Sequence, residues 1–171
     1  MLSFYIKNIL YLIVLIGFSF ANAGSYEDFF LALNRDKARE IQSLLSRGFD
    51  PNSVNPQGVS ALSLAISEEA WSVAKVIASH PLTQVNTRNA SDETPLMLSA
   101  LKGNLELCKM LIARDADLNK TDWAPLHYAA TSGNPAVVRL MLDNYAYIDA
   151  ESPNGSTPLM MAAMYGSMDA V

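Results

Sequence analysis

The sequence predicts an all-α solenoid of stacked helix-turn-helix units joined by short β-hairpin loops, and three observations predict it. A Pro-Leu motif recurs as Thr94-Pro95-Leu96-Met97, Ala124-Pro125-Leu126-His127 and Thr157-Pro158-Leu159-Met160, at spacings of 30 and 33 residues; a worn copy, Ser60-Ala61-Leu62-Ser63, lies 34 residues before the first. A second landmark keeps the same beat, because Asn52, Asn86, Asn119 and Asp149 close successive units at spacings of 34, 33 and 30. Gly103, Gly133 and Gly166 each follow the proline of their motif by eight residues. Independent landmarks in register at one period are the signature of a repeat architecture.

Each unit reads as helix, tight turn, helix, loop. Proline at the first helical position gives up no hydrogen bond, and a preceding Thr can cap free backbone amides, so Thr-Pro-Leu is a helix start. Small residues at Ser99-Ala100, Ala129-Ala130 and Ala162-Ala163 fall where the first helix approaches its neighbours closely. The glycine then permits the left-handed cap that ends this helix. A second amphipathic run follows, as in Leu105-Glu106-Leu107-Cys108-Lys109-Met110-Leu111-Ile112, with apolar residues three and four apart. One unit cannot bury the apolar faces of both its helices, so neighbours must stack.

Through Ala124-Pro125-Leu126-His127-Tyr128-Ala129-Ala130 and Thr157-Pro158-Leu159-Met160-Met161-Ala162-Ala163, the sequence resembles the ankyrin repeat family from about Tyr26 onward. The Gly-Asn pairs at 103–104 and 133–134 fit the same pattern. The units fall at 26–52, 54–86, 87–119, 120–149 and 150–171, the last incomplete. Glu27, Asp28, Asn34 and Arg35 around Phe29, Phe30 and Leu33 suit a first helix with one wet side. Two departures stand out. Lys120-Thr121-Asp122 leaves the third-to-fourth connection about three residues short, so its β-hairpin should be truncated and the concave face notched there. The chain also stops at Val171, one turn into a second helix, so the terminal apolar face is expected to be covered by further residues or by a partner.

The 171 residues are 50% apolar and 17% charged, which excludes a disordered polymer. A net charge of −5 lacks the basic excess that nonspecific nucleic-acid binding needs. Part of the apolar excess belongs to Ile9–Phe20, preceded by Lys7 and followed by Ala21-Asn22-Ala23. A positive start, an apolar middle and small residues before a cut form the pattern of a secretory signal, so residues 1–23 are expected to be removed and 24–171 to form the repeat domain. The alternative is a membrane anchor, but twelve apolar residues rise only about 18 Å as a helix against roughly 30 Å of hydrocarbon. This export signal and the single cysteine favour a bacterial periplasm; direct secretion is compatible.

Chemistry-bearing residues are few. His127 occupies the histidine position of the resembled family, where the ring implies packing and hydrogen bonding between repeats; His80, before Pro81, reads as a loop residue. No phosphate loop, paired-histidine zinc motif or serine elbow occurs, so no catalytic residue, metal site or cofactor is expected. Cys108, among Leu107, Leu111 and Ile112, reads as a buried, inert thiol. Met160, Met164 and Met168 fall four apart, which on an unbroken helix would align three thioethers suited to monovalent copper. A copper-binding or redox accessory role through these methionines or Cys108 is the alternative function. Gly166 argues against the continuous helix, and the plainer reading has Met160 and Met161 in the core with Met164 as a contact surface.

The resemblance instead implies a monomeric, non-catalytic module that binds another protein through the hairpin tips and the exposed ends of its first helices. The matching helix positions are Ser67 and Glu68, Leu101 and Lys102, Thr131 and Ser132, and Met164 and Tyr165; the matching hairpin positions are Val59, Glu93, Trp123 and Ser156. Trp123 has hot-spot chemistry beside Leu101 and Tyr165, unless its ring folds down to fill the shortened hairpin. Met164 would add apolar contact, Glu68, Glu93 and Lys102 would set orientation, and Thr131 and Ser132 would supply polar contacts. Trp71 matches Leu105 one unit later and reads as inter-repeat core.

Overall fold

A computed structural model of the chain describes residues 24–165. The expected signal segment, Gly166 and Met168 lie outside these residues. Residues 24–34 are helical (α1). Eight helices follow: α2 (Ala38–Ser46), α3 (Ala61–Ser67), α4 (Trp71–Ser79), α5 (Pro95–Leu101), α6 (Leu105–Ile112), α7 (Pro125–Ser132), α8 (Pro135–Asp143) and α9 (Pro158–Met164). First helices pack in one row, α3 on α5 on α7 on α9, and second helices in another, α2 on α4 on α6 on α8. The fold is the all-α solenoid that the repeats dictate. Among the described residues no helix is long and apolar enough to cross a membrane.

The helix starts are built as the sequence requires. Hydroxyls of Ser60, Thr94 and Thr157 accept the backbone N–H three residues on. Ala124 has no such acceptor. There the His127 N–H meets the Ala124 carbonyl at 3.0 Å, and the His127 ring serves a different donor, its Nδ1 accepting the Ala124 N–H at 3.1 Å. Gly103 ends α5 at φ +65, and a Cβ on it would sit 3.3 Å from the Asn134 side chain, whose Nδ2 donates to the Gly103 carbonyl. Asp36, at φ +50, holds the equivalent place after α1 without glycine. Its carboxylate accepts from Val73 N–H at 2.8 Å and Ser72 N–H at 3.4 Å. It thereby caps α4, whose own N-cap, Ala70, has no side chain to do so.

The core runs the length of the stack through Phe29, Leu33, Ile41, Leu62, Ile66, Ile77, Leu96, Leu107, Leu111, Leu126 and Met141. At its first end Phe29 stacks on Phe49 with centroids 4.4 Å apart, while Glu27, Asp28, Asn34 and Arg35 face solvent. Small side chains at Ser99, Ala100, Ala129 and Ala130 are buried where the first helices meet. Trp71 is half-buried against this core. The fifth unit differs: Leu96 and Leu126 are buried, but the matching Leu159 is 57% exposed. Met160, expected in the core, is exposed too. In the earlier units a paired second helix covers this position; in the fifth the residues after Tyr165 lie outside those described.

The asparagine landmark proves to be a ladder. Asn52 donates to the Leu82 carbonyl and accepts the Gln84 N–H, at 2.9 and 2.8 Å. Asn86 does the same with Asp115 and Asp117, at 3.0 and 2.9 Å, and Asn119 with Tyr145 and Tyr147, at 3.0 and 2.8 Å. Each amide satisfies one donor and one acceptor of the next unit's loop, which sets the rise of the stack along this edge. The Arg114 guanidinium adds a second tie, donating to the carbonyls of Ala78, His80, Pro81 and Thr83 at 2.6 to 3.3 Å.

Three connections form tight hairpins with two backbone hydrogen bonds each: Asn55, Asn89 and Ser152 donate to the carbonyls of Val59, Glu93 and Ser156 and accept from the N–H of Gly58, Asp92 and Gly155, at 2.8 to 3.0 Å. Their tips, Gly58, Asp92 and Gly155, are left-handed. The third-to-fourth connection is truncated as the sequence predicts, with bends only at 121–123. Asp122 keeps the left-handed tip conformation at φ +67, but the closing pair is gone.

Candidate functional site: a cleft beside the truncated hairpin

Where the hairpin is missing, a cleft of about 210 Å³ opens, lined by Leu101, Trp123, His127, Tyr128, Thr131, Met161 and Tyr165. These residues come from three consecutive units. Leu101 ends α5, Trp123 stands on the short loop, His127, Tyr128 and Thr131 lie on α7, and Met161 and Tyr165 belong to α9 and its end. Helical spacing of three and four residues turns each of these side chains to one face.

The floor is fixed by hydrogen bonds. His127 is fully buried, and its Nδ1 accepts the Ala124 N–H, so the proton sits on Nε2, which donates to the Ser156 carbonyl at 3.0 Å. Both ring nitrogens are thus committed to structure. Trp123 meets that ring edge-on, with centroids 5.3 Å apart at 74°. It is half-buried and also lines the cleft, so it braces the shortened loop and offers contact surface at once. Thr131 Oγ1 donates to the His127 carbonyl at 2.9 Å, leaving its methyl group for the cleft.

Negative charge lies behind the Tyr128 wall. The Tyr128 hydroxyl donates to Glu93 at 3.2 Å, and Asn89 Nδ2 donates to the other Glu93 oxygen at 2.7 Å. Burial first, and then the Glu93 and Asp92 carboxylates, push the Tyr128 phenol up to about 12. Asp92 is bound by Lys120, whose side chain is only 2% exposed and reaches back from the truncated connection to the preceding hairpin tip. Lys120 also donates to the Thr121 carbonyl, and Arg88 pairs with Asp92 from the other side. The Lys120 hydrogen bond, over a smaller opposing effect of burial, holds Asp92 below the usual aspartate range.

Of the residues expected to face a partner, the structure brings Leu101, Trp123, Thr131 and Tyr165 together in this cleft. Met164 is exposed on α9 outside it. Lys102 is exposed but ion-paired with Glu69 at 2.7 Å, and Glu93 is half-buried and engaged by Tyr128 and Asn89. Glu68 is exposed at the end of α3, and Ser132 Oγ donates to its own helix at the Ala129 carbonyl. The sequence reading missed Tyr128 and Met161 as lining. Their signal was present: Tyr128 precedes Thr131 by three residues, and Met161 precedes Tyr165 by four.

Other chemistry recedes. The Cys108 thiol is buried, and burial pushes it up to about 12. Among the described residues no group of three or more His, Cys, Asp or Glu side chains could hold a metal ion. Met160 and Met164 are exposed on α9, and the third methionine of the proposed copper set lies outside the described residues.

Known proteins agree with this architecture. A family model for ankyrin repeats, in three copies, matches residues 29–122, 74–152 and 119–171. The chain is 32% identical over 103 residues to ankyrin repeat and SAM domain-containing protein 6 of Rattus norvegicus, covering 58% of this chain and 12% of that protein. It is 25% identical over 151 residues to the human transient receptor potential cation channel subfamily A member 1, covering 82% and 14%. It is 29% identical over 135 residues to the human neurogenic locus notch homolog protein 1, covering 77% and 5%. The chain therefore spans 14% or less of the length of these relatives. With its repeated Pro-Leu helix starts, asparagine ladder and paired helix rows, the chain belongs to the ankyrin-repeat family, whose repeats generally mediate protein–protein interaction without catalysis.

Proposed function

We propose that this chain is a non-catalytic binding module of the cell envelope that holds a partner protein on the face made by its hairpin tips and first helices. The observation that carries the reading is the convergence of Leu101, Trp123, Thr131 and Tyr165, from three units, on one open cleft beside the truncated hairpin. A stiff stack presents that strip already ordered, so little conformational entropy is lost on association. The envelope placement is supported by the Lys7, Ile9–Phe20 and Ala21-Asn22-Ala23 pattern.

The test is site-specific photocrosslinking in intact cells. A benzophenone side chain at Leu101 or Met164 should trap a discrete adduct, and the same group at exposed Arg139 on α8, in the other helix row, should not. Equal trapping from Arg139, or adducts confined to cytoplasmic proteins, would overturn the face or the compartment respectively.

A further inference from the structure

The cleft is too small for an ordinary small-molecule ligand and well sized for one side chain. Ligand pockets generally exceed about 300 Å³. An enclosed apolar cavity of about 150 Å³ already admits a benzene ring. At about 210 Å³, lined by Leu101, Met161 and the rings of Trp123, Tyr128 and Tyr165, this site accommodates one branched aliphatic or aromatic side chain.

Its rim is acidic. Glu93 is bonded to the lining Tyr128, Asp92 precedes it on the hairpin tip, and Asp122 neighbours the lining Trp123. The three cations of this region are already taken: Arg88 and Lys120 by Asp92, and Lys102 by Glu69. Among the described residues the Glu93 carboxylate receives hydrogen bonds only from neutral donors, Tyr128 and Asn89. Asp122, exposed and next to Trp123, has no ion-pair partner among the described residues. Two carboxylates beside the aromatic cleft therefore lack a countercharge.

We infer that the cleft captures one large apolar side chain of an extended peptide segment in a partner protein, with Lys or Arg beside that anchor meeting Asp122 and Glu93. The inference rests on the binding-module reading and adds the chemistry of the partner. The three-residue deletion makes the site: a full hairpin at 120–123 would stand over the space that the anchor enters, and the retained tip residue, Asp122, is left at its edge.

The experiment is selection of random dodecapeptides displayed on phage against the immobilised full chain. Recovered peptides are synthesised and titrated by fluorescence anisotropy. The expected consensus is Leu, Ile, Phe or Trp flanked by Lys or Arg, with affinity falling as salt screens the rim. Thr131→Arg, which fills the cleft and places a cation in it, should weaken binding about tenfold or more, as removal of a hot-spot contact does. Tyr165→Ala, at an exposed position, should weaken it with unchanged thermal stability. Asp122→Asn keeps a residue that tolerates positive φ and should lower affinity several-fold for the basic peptides alone.

An acidic or uncharged consensus, no enriched sequence, or binding that survives Thr131→Arg overturns the inference. The broader reading fails separately, on loss of the Leu101 and Met164 crosslinks. A crosslinked partner retained by Thr131→Arg would leave that reading standing and remove this one.

Discussion

The His127 imidazole ties the start of α7 to the next hairpin, donating from Nε2 to the Ser156 carbonyl while accepting the Ala124 N–H on Nδ1. Ser156 keeps other donors, the N–H and hydroxyl of Ser152, but Ala124 has no second acceptor for its amide. The two partners are thus unequal in what they lose when the ring is removed.

His127→Ala should therefore destabilise the stack by about 2–4 kcal/mol, combining a cavity with a buried unsatisfied N–H. His127→Met should cost much less, because the third unit already uses Met97 there, with its sulfur 3.4 Å from the Thr94 amide. Urea denaturation of the three proteins checks this. Equal losses for Ala and Met would mean that the Nε2 bond to Ser156, which neither variant can make, governs the position.

The Lys120–Asp92 pair is buried on one side only, so its two deletions should differ. Lys120→Met keeps the buried stem and returns Asp92 to water, whereas Asp92→Asn strands an ammonium that is 2% exposed. The second variant should be the less stable at neutral pH. Asp92 is held below its ordinary value of 3.8, so its stabilisation is complete above that pH and drains as pH falls through the lower folded value. Thermal melts should show wild type and Asp92→Asn converging in strong acid; a gap that persists there would contradict the ionic origin.

Tyr128 gives an alkaline signature. Its phenol is raised from 10 to about 12, so it contributes stability below pH 10 that is lost as pH rises through 12. In ultraviolet titration, Tyr128→Phe should remove a phenol that ionises at about 12. Glu93→Gln should bring that titration down only part of the way, since burial is the larger cause and the carboxylate the smaller.

Cys108 should resist a soluble disulfide reagent at neutral pH until the stack opens, because burial suppresses its thiolate. Labelling rates should track the urea dependence of unfolding. Rapid labelling of the folded chain would revive the redox alternative.

Much of this protein was legible one unit at a time. Thr94, Thr157, Pro95 and Pro158 announce helix starts because capping and proline geometry are local, and Gly103 and Gly133 announce helix ends for the same reason. The three-residue deletion was also visible, since it shifts the beat between Asn119 and Ala124. The destination of side chains freed by that deletion was not visible. Lys120 looks like a loop lysine in the sequence, yet it lies buried and reaches Asp92, because the absent hairpin leaves it a path to the preceding tip. Asp36 likewise caps a helix one unit away, a contact that its local sequence does not announce.

By itself the sequence determined the fold class, the period, the helix starts at Pro95, Pro125 and Pro158 and four of the residues that line the cleft, since these follow from short-range periodicity and capping. Only the tertiary structure decided that those four meet, that Tyr128 and Met161 complete the wall, and that Lys102 and Glu93 are already engaged by neighbours. The physical reason is that repeat periodicity specifies which face a side chain takes, whereas hydrogen bonding and charge pairing between units specify which partners are left free.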